Sequence, residues 1–223
     1  MNTTRINQFV AAASGMSRRA ADTAVAAGRV QLGDHTAKLG ELVEPDTPVS
    51  LDGQLLTPPL SHQYVLLHKP VGYVSSRTRQ GQDPTLYELL PAEMRKLRIA
   101  GRLDRDSSGL VLLSDDGPFI NRYTHPSFGK TKLYELTLDR ALTGAARRQL
   151  ESGVELTDGP SRLRVVSLNG RDLIVALTEG RNRQIRRTLG ALGYAIARLH
   201  RTAIGPYELS DLPAGNWQEV GAQ

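Results

Sequence analysis

The residues best suited to chemistry form one stretch, Gly101-Arg-Leu-Asp-Arg-Asp-Ser-Ser-Gly-Leu110. A carboxylate, Asp104, stands between two arginines, Arg102 and Arg105, and a second acid, Asp106, follows. Glycines bound the charged residues, and the apolar run Val111-Leu112-Leu113 comes next. Such a stretch reads as a loop holding a charged group at the mouth of a sheet, where functional side chains are often carried. Two guanidinium groups aimed at Asp104 would hold it as the anion, ready to act as a base or nucleophile. An Arg/Asp surface turn has the same composition, so these ten residues alone leave both readings open.

The second carrier is Glu179-Gly-Arg-Asn-Arg-Gln-Ile-Arg-Arg187, predicted to open a helix running to about Leu192. Arg183, Arg186 and Arg187 then share neighbouring faces at i, i+3 and i+4. One of them can turn inward while others face solvent or phosphate. Residues 181–201 also hold Arg181, Arg198 and Arg201 and no acid. A basic run of this kind is the usual footprint of a phosphate backbone.

The elements that must position these groups are legible from apolar patterning. Tyr64–His68 reads as a strand entering the turn Lys69-Pro-Val-Gly72, with Lys69 expected in packing or phosphate contact. Thr85–Leu90, Pro118–His125 and Ala141–Leu150 read as helices. Tyr134–Leu138 reads as a strand, and Ser161–Leu168 with Leu173–Leu177 as a hairpin around Asn169-Gly170. Ala197–Pro206 supplies a closing strand and turn.

The first 58 residues read as a separate small module. Ile6, Phe9, Val10 and Ala13 recur at helical spacing up to Gly15. Ser17 is a natural N-cap for a second helix through Ala27, with Gly28 as its stop. Short strands follow at Arg29–Leu32 and Pro48–Leu51, with turns at Gly33-Asp34 and Asp52-Gly53. Pro58-Pro59 marks an extended linker. The expected boundaries are therefore 1–58, a linker 59–63, and a larger domain 64–223.

Composition narrows the class. Hydrophobic residues at 39% and charged residues at 23% fit a soluble globular protein of one large or two smaller domains. There are no cysteines, which removes disulfides, thiolate zinc sites and a cysteine nucleophile. The formal charge is +5, and only five of the 28 Lys+Arg are lysines. Arginine makes planar bidentate contacts to phosphate and stacks on bases, although GC-rich coding gives the same bias. No run is long and apolar enough for a membrane span, and Phe9–Ala13 is too short for a secretory core. The five histidines show no metal-ligand spacing. Phosphate-loop, dinucleotide-binding and nucleophile-elbow motifs are absent.

Gly101–Leu110, followed by Leu113-Ser-Asp-Asp-Gly117, resembles the catalytic motif of RNA pseudouridine synthases. It most resembles the branch that modifies ribosomal RNA and carries a small N-terminal RNA-binding domain, like that of the small-subunit ribosomal protein S-four. Residues 1–58 resemble that domain through helix–Gly-x-Ser-Arg-Arg–helix–Gly-Arg-Val–strand and Val49-Ser-Leu-Asp-Gly53. Lys132-x-Tyr134 resembles the second family motif and Arg181–Arg187 the third; the Lys69-Pro turn resembles the first, with His68 where the family usually has Asn.

The resemblance implies an α+β fold: a small α/β RNA-binding module, then a mixed, mainly antiparallel sheet flanked by helices. It implies that Asp104 is the catalytic carboxylate, that Arg186 is its basic partner, and that Tyr134 packs on the target base. Leu199 is placed beside that base. Arg18 and Arg19, at a helix N-terminus that itself attracts anions, are expected on RNA, with Arg29 and Lys38 extending the patch. Arg102, Arg105, Lys130, Lys132, Arg181, Arg183 and Arg187 are expected to contact RNA around the entrance. The reaction implied is isomerisation of one uridine, flipped from its stack, in ribosomal RNA, with large-subunit RNA favoured over small-subunit RNA or transfer RNA. An isomerisation needs no cofactor or metal. A cytoplasmic monomer that binds RNA, not DNA or membrane, is expected. Two rivals stand beside this: a non-catalytic RNA-binding or ribosome-assembly protein, and a carboxylate hydrolase, which would need a second, separated acid.

Overall fold

The computed structural model describes residues 3–59 and 61–223; residue 60, within the expected linker, lies outside them. The chain divides into two compact units. One holds the residues up to Gln63 with Asp115–Gly117, the other Tyr64–Ser114 with Pro118–Gln223.

In the first unit, β1 (Thr4–Arg5) leads into α1 (Ile6–Ser14). Gly15, at φ 76, ends α1 by donating its N–H to the Ala11 carbonyl. Ser17 accepts a hydrogen bond from the Ala20 N–H at 3.1 Å and so caps α2 (Arg18–Ala26). Four further strands follow, β2 (Val30–Leu32), β3 (His35–Thr36), β4 (Leu42–Val43) and β5 (Val49–Leu51), and then β6 (Gln54–Leu55). Strands β3-β2-β5-β6 form an antiparallel sheet, and β4 pairs with β1. Ile6 and Val10 of α1 meet Ala21, Ala24 and Val25 of α2 and Val30 and Val49 of the sheet in one apolar core. The short strands β1, β3, β4 and β6 carry too few apolar residues to register as a pattern.

The second unit is built on a nine-stranded sheet. Its strands are β7 (Tyr64–Lys69), β8 (Arg98–Ala100), β9 (Ser108–Ser114) and β10 (Lys132–Leu138), then β13 (Arg164–Asn169), β14 (Asp172–Leu177), β15 (Ile196–Ile204), β16 (Tyr207–Glu208) and β17 (Trp217–Glu219). A separate hairpin joins β11 (Val154–Leu156) to β12 (Gly159–Ser161). The main order is β13-β14-β10-β15-β9-β7-β17, with β8 on β9 and β16 on β15. Only β9 and β15 run parallel; the other pairs are antiparallel. This is the mixed, mainly antiparallel sheet expected.

The sheet is buried on both faces at its centre, which explains the unbroken apolar run of β9. Val111 and Leu113 join the large core with Tyr134, Leu136 and Leu199. Leu110 and Leu112 join a second core with Phe119, Tyr123 and Tyr207. Helices α3 (Gly117–Thr124), α4 (Gly144–Ser152) and α5 (Gln184–Ala191) flank the sheet.

Several boundaries differ from expectation for local reasons. Within the helix expected over Thr85–Leu90 the chain forms a 3-10 turn, Leu86–Leu89, fixed by a capping box between Thr85 and Glu88. Helix α4 starts after Thr143, whose side chain accepts from the Ala146 N–H, not at Ala141. The strand expected over 161–168 divides, because Ser161 pairs with Val154 while Leu163 donates its N–H to the Leu150 carbonyl. In the next hairpin the ladder closes at Asn169 and Asp172, so the loop is Gly170-Arg171 rather than Asn169-Gly170. Arg183 lies outside α5 as its N-cap, at φ 46, so it does not share a helical face with Arg186 and Arg187.

Candidate active site

The loop between β8 and β9 carries Asp104, and seven of its backbone groups are held from outside. Ser75 Oγ donates to the Leu103 carbonyl at 2.7 Å and accepts from the Leu103 N–H at 3.1 Å. Gly72 N–H reaches the Arg105 carbonyl at 2.8 Å, just after the Lys69-Pro turn. Lys69 Nζ donates to the Ser107 carbonyl, and Arg186 Nη2 to the Asp106 carbonyl at 2.9 Å. Arg201 holds the Gly101 and Arg102 carbonyls, both at 3.3 Å. Leu103 itself is buried in the large core. A loop fixed at this many points presents its side chains at low entropic cost during reaction.

Asp104, half-buried, lines a cleft of about 490 Å³ within the second unit. Tyr134 from β10 and Leu199 from β15 line the same cleft, both buried. So do Arg102, Arg105, Lys132, Arg181, Arg183 and Arg186. The mouth is therefore strongly cationic around one carboxylate, with an apolar and aromatic wall.

The arginines are distributed differently from the sequence expectation. Arg183, not Arg186, is the cation in ion-pair range of Asp104, at 3.7 Å. Arg183 also binds Asp106 through both terminal nitrogens at 3.1 Å. Arg186 lies against Asp106, its Nε 3.2 Å from Oδ2 in an ion pair that is not aligned as a hydrogen bond. Partial burial pushes the Asp106 carboxyl up; the hydrogen bonds from Arg183 and the charges of Arg186 and Arg183 outweigh it and hold the pKa below the ordinary value. Neither flanking arginine forms an ion pair with Asp104 among the described residues: Arg105 pairs with Asp83 at 2.8 Å, and Arg102 is exposed.

Other expected phosphate ligands are engaged within the protein. Arg187 binds Asp158 through two hydrogen bonds of 2.9 and 2.8 Å. Arg181 binds Asp158 at 3.0 Å and the Gly159 and Pro160 carbonyls of β12. Arg29 pairs with Asp52. Lys132 is buried, with Nζ 3.4 Å from the Lys130 carbonyl, and Lys130 sits 5.4 Å from the Tyr123 ring centroid. Arg18, Arg19, Lys38 and Arg102 are exposed, and no acid pairs with them among the described residues.

Lys69 is fully buried, which removes the phosphate contact considered for it. Its Nζ donates to the Pro70 and Ser107 carbonyls, both at 2.8 Å. Burial, only partly countered by the charges of Asp104 and Asp106, lowers its pKa to about 8. Arg201 is likewise 1% exposed, so it cannot belong to a solvent-facing basic run.

The RNA pseudouridylate synthase family matches residues 63–191. The chain belongs to this family. A ribosomal large subunit pseudouridine synthase B of Yersinia pestis is 35% identical, over 97% of this chain and 72% of that protein. An uncharacterized RNA pseudouridine synthase of Aquifex aeolicus is 34% identical, over 97% of this chain and 90% of that one. A dual-specificity RNA pseudouridine synthase RluF of Escherichia coli is 32% identical, over 97% and 75%. A crystal structure of a pseudouridylate synthase superposes with a TM-score of 0.71 at 30% identity, covering 97% of this chain and 96% of that one.

As a pseudouridine synthase, the protein is an isomerase acting on RNA, on a mixed sheet of the expected fold. No helix among the described residues is long and apolar enough to cross a membrane. Of the two roles expected for Lys69 the structure gives packing, against the Asp104 loop; sequence reading missed Ser75 and Arg201 as holders of that loop. The signal available was weak: Lys69 and Ser75 flank a glycine turn, and Arg201 sits in a strand otherwise read for its apolar residues.

Proposed function

We propose that this pseudouridine synthase isomerises a specific uridine of large-subunit ribosomal RNA, with Asp104 as the reacting carboxylate and Tyr134 against the flipped base. The observation that carries this reading is the meeting of Asp104, Tyr134 and Leu199 in one cationic cleft on an externally clamped loop. The Yersinia pestis relative, a ribosomal large subunit pseudouridine synthase B, supports the choice of RNA.

In the reaction the uridine leaves its stack, at a cost on the order of a few kcal/mol. The N1–C1′ bond breaks, the uracil turns, and C5 joins C1′. The C5 hydrogen leaves to solvent and N1 gains a proton, so substrate and product have the same atoms. No co-substrate or metal is called for. Asp104 acts as nucleophile or as base on the sugar. Arg183 orients it from 3.7 Å, while Arg186 acts on it through the Asp106 segment.

The unit up to Gln63 is assigned as an S-four-like RNA-binding module. Arg18, Arg19 and Lys38 are exposed cations of this unit that form no ion pair among the described residues, Arg18 and Arg19 standing at the N-terminus of α2. This added RNA surface lets a cytoplasmic monomer suffice. Arg102 and Lys130 extend the RNA contact near the cleft.

The test is tritium release from RNA labelled at uridine C5, offered as large-subunit, small-subunit and transfer RNA fragments. Release from a large-subunit fragment, abolished by Asp104→Asn, is expected. Release from transfer RNA alone would overturn the substrate assignment. Undiminished release by Asp104→Asn would remove Asp104 from the mechanism.

A further inference from the structure

Arg201 is the one buried arginine among the described residues, and no carboxylate forms an ion pair with it there. A buried cation without a counter-ion is costly and persists where its hydrogen bonds are needed. Its bonds go to one place. Nε donates to the Leu110 carbonyl at 2.8 Å, in β9 just beyond the Asp104 loop. Nη1 and Nη2 donate to the Arg102 and Gly101 carbonyls at its entrance, each at 3.3 Å. Nη1 also reaches the Tyr134 hydroxyl at 3.4 Å, and the guanidinium carbon lies 5.9 Å from the centre of that ring.

One rigid planar group thus ties both ends of the loop to the tyrosine facing it. In the β-ladder Arg201 is opposite both Tyr134 on β10 and Gly109 on β9. The phenol oxygen accepts from Arg201, which leaves the phenol proton to be donated into the cleft. Lysine, with one nitrogen and no planar fork, cannot span these acceptors.

We infer that Arg201 is a positioning residue of the isomerase, setting the separation of Asp104 and Tyr134 rather than gripping RNA. The inference rests on reading Asp104 and Tyr134 as the reacting pair. It differs from the sequence expectation, which counted Arg201 with the phosphate-facing arginines.

The test compares full-length wild type, Arg201→Lys, Arg201→Gln, Tyr134→Phe and the double variant Arg201→Lys/Tyr134→Phe. Tritium release is measured under single-turnover conditions, RNA binding by filter retention, and folding by urea melting. Arg201→Lys is expected to bind RNA within about twofold of wild type and to turn over about 10²-fold more slowly. In the Tyr134→Phe background the same change is expected to cost less than about tenfold, because the Arg201–Tyr134 contact through which Arg201 couples the loop to the phenol is already gone. Three results would overturn the inference: wild-type turnover in Arg201→Lys, an equal loss in both backgrounds, or failure of both Arg201 variants to fold, which would make the residue structural only. No release by wild type from any RNA would instead remove the isomerase reading of this cleft, and the inference with it.

Discussion

Gly109 passes so close to the backbone of Arg201 that a Cβ on it would lie 2.2 Å from the Arg201 carbonyl oxygen and 2.5 Å from its nitrogen. This is the parallel junction of β9 and β15, and it brings the Asp104 loop beside the strand that carries Leu199 and Arg201. Gly109 also has φ 114, a region that L side chains rarely adopt. Gly109→Ala is therefore expected to destabilise the fold by on the order of 3 kcal/mol and to abolish pseudouridine formation. Urea melting followed by tritium release checks both effects; an unchanged midpoint would mean that the two strands part easily here.

Asp104→Asn is expected to melt like wild type, to bind RNA and to make no pseudouridine, because the amide is neither an effective base nor a nucleophile. Tyr134→Phe keeps the ring in the core and loses the hydroxyl held by Arg201. Turnover is expected to fall by about tenfold to 10²-fold with little change in RNA affinity. Product analysis by nucleoside chromatography separates these outcomes from mere loss of binding.

The two arginines that meet Asp106 differ in kind. Arg183 has a 45% exposed side chain and touches Asp104, whereas Arg186 is 14% exposed and holds a loop carbonyl. Arg183→Ala is expected to slow turnover with a melting midpoint near that of wild type. Arg186→Ala is expected to slow turnover and also to lower stability by about 1–3 kcal/mol. Equal midpoints for the two variants would argue against the loop-clamping role of Arg186.

Lys69 gives a pH signature. Its pKa is lowered from 10.5 to about 8 in the folded protein, so folding favours the neutral amine. Between about pH 8 and about pH 10.5 the unfolded chain binds the extra proton, and stability rises with pH through this window. Below about pH 8 both states are protonated and the penalty is constant. Relative to Lys69→Met, wild type is expected to gain at most on the order of 3 kcal/mol across the window. Urea melts of both proteins over that range, compared by difference, would show parallel curves if Lys69 were ordinarily solvated.

Arg18→Ala with Arg19→Ala is expected to weaken RNA binding and to reduce the slope of log affinity against log salt by about 1 to 2. Turnover at saturating RNA should be unchanged, since neither residue lies in the cleft. An unaltered salt slope would place these arginines away from the phosphate backbone.

The chain's local chemistry was legible in its sequence. Ser17 and Gly15 bracket the turn between α1 and α2 because capping depends on residues three or four apart. The strand runs Tyr64–His68 and Tyr134–Leu138 follow from apolar patterning, and the family motifs identified the loop of Asp104 and the arginine segment. Short spacing did not reveal which cation meets which acceptor. Arg183 reaches Asp106 across 77 residues of sequence, and Arg201 reaches Leu110 across 91. Those partners are set by the parallel pairing of β9 with β15 and by the left-handed N-cap at Arg183. Tertiary structure alone therefore turned Lys69 and Arg201 inward, gave Arg187 to Asp158, and put Arg183 rather than Arg186 beside Asp104. The physical reason is that a charged side chain's role depends on its burial and nearest acceptors, and both are long-range properties in a sheet of this topology.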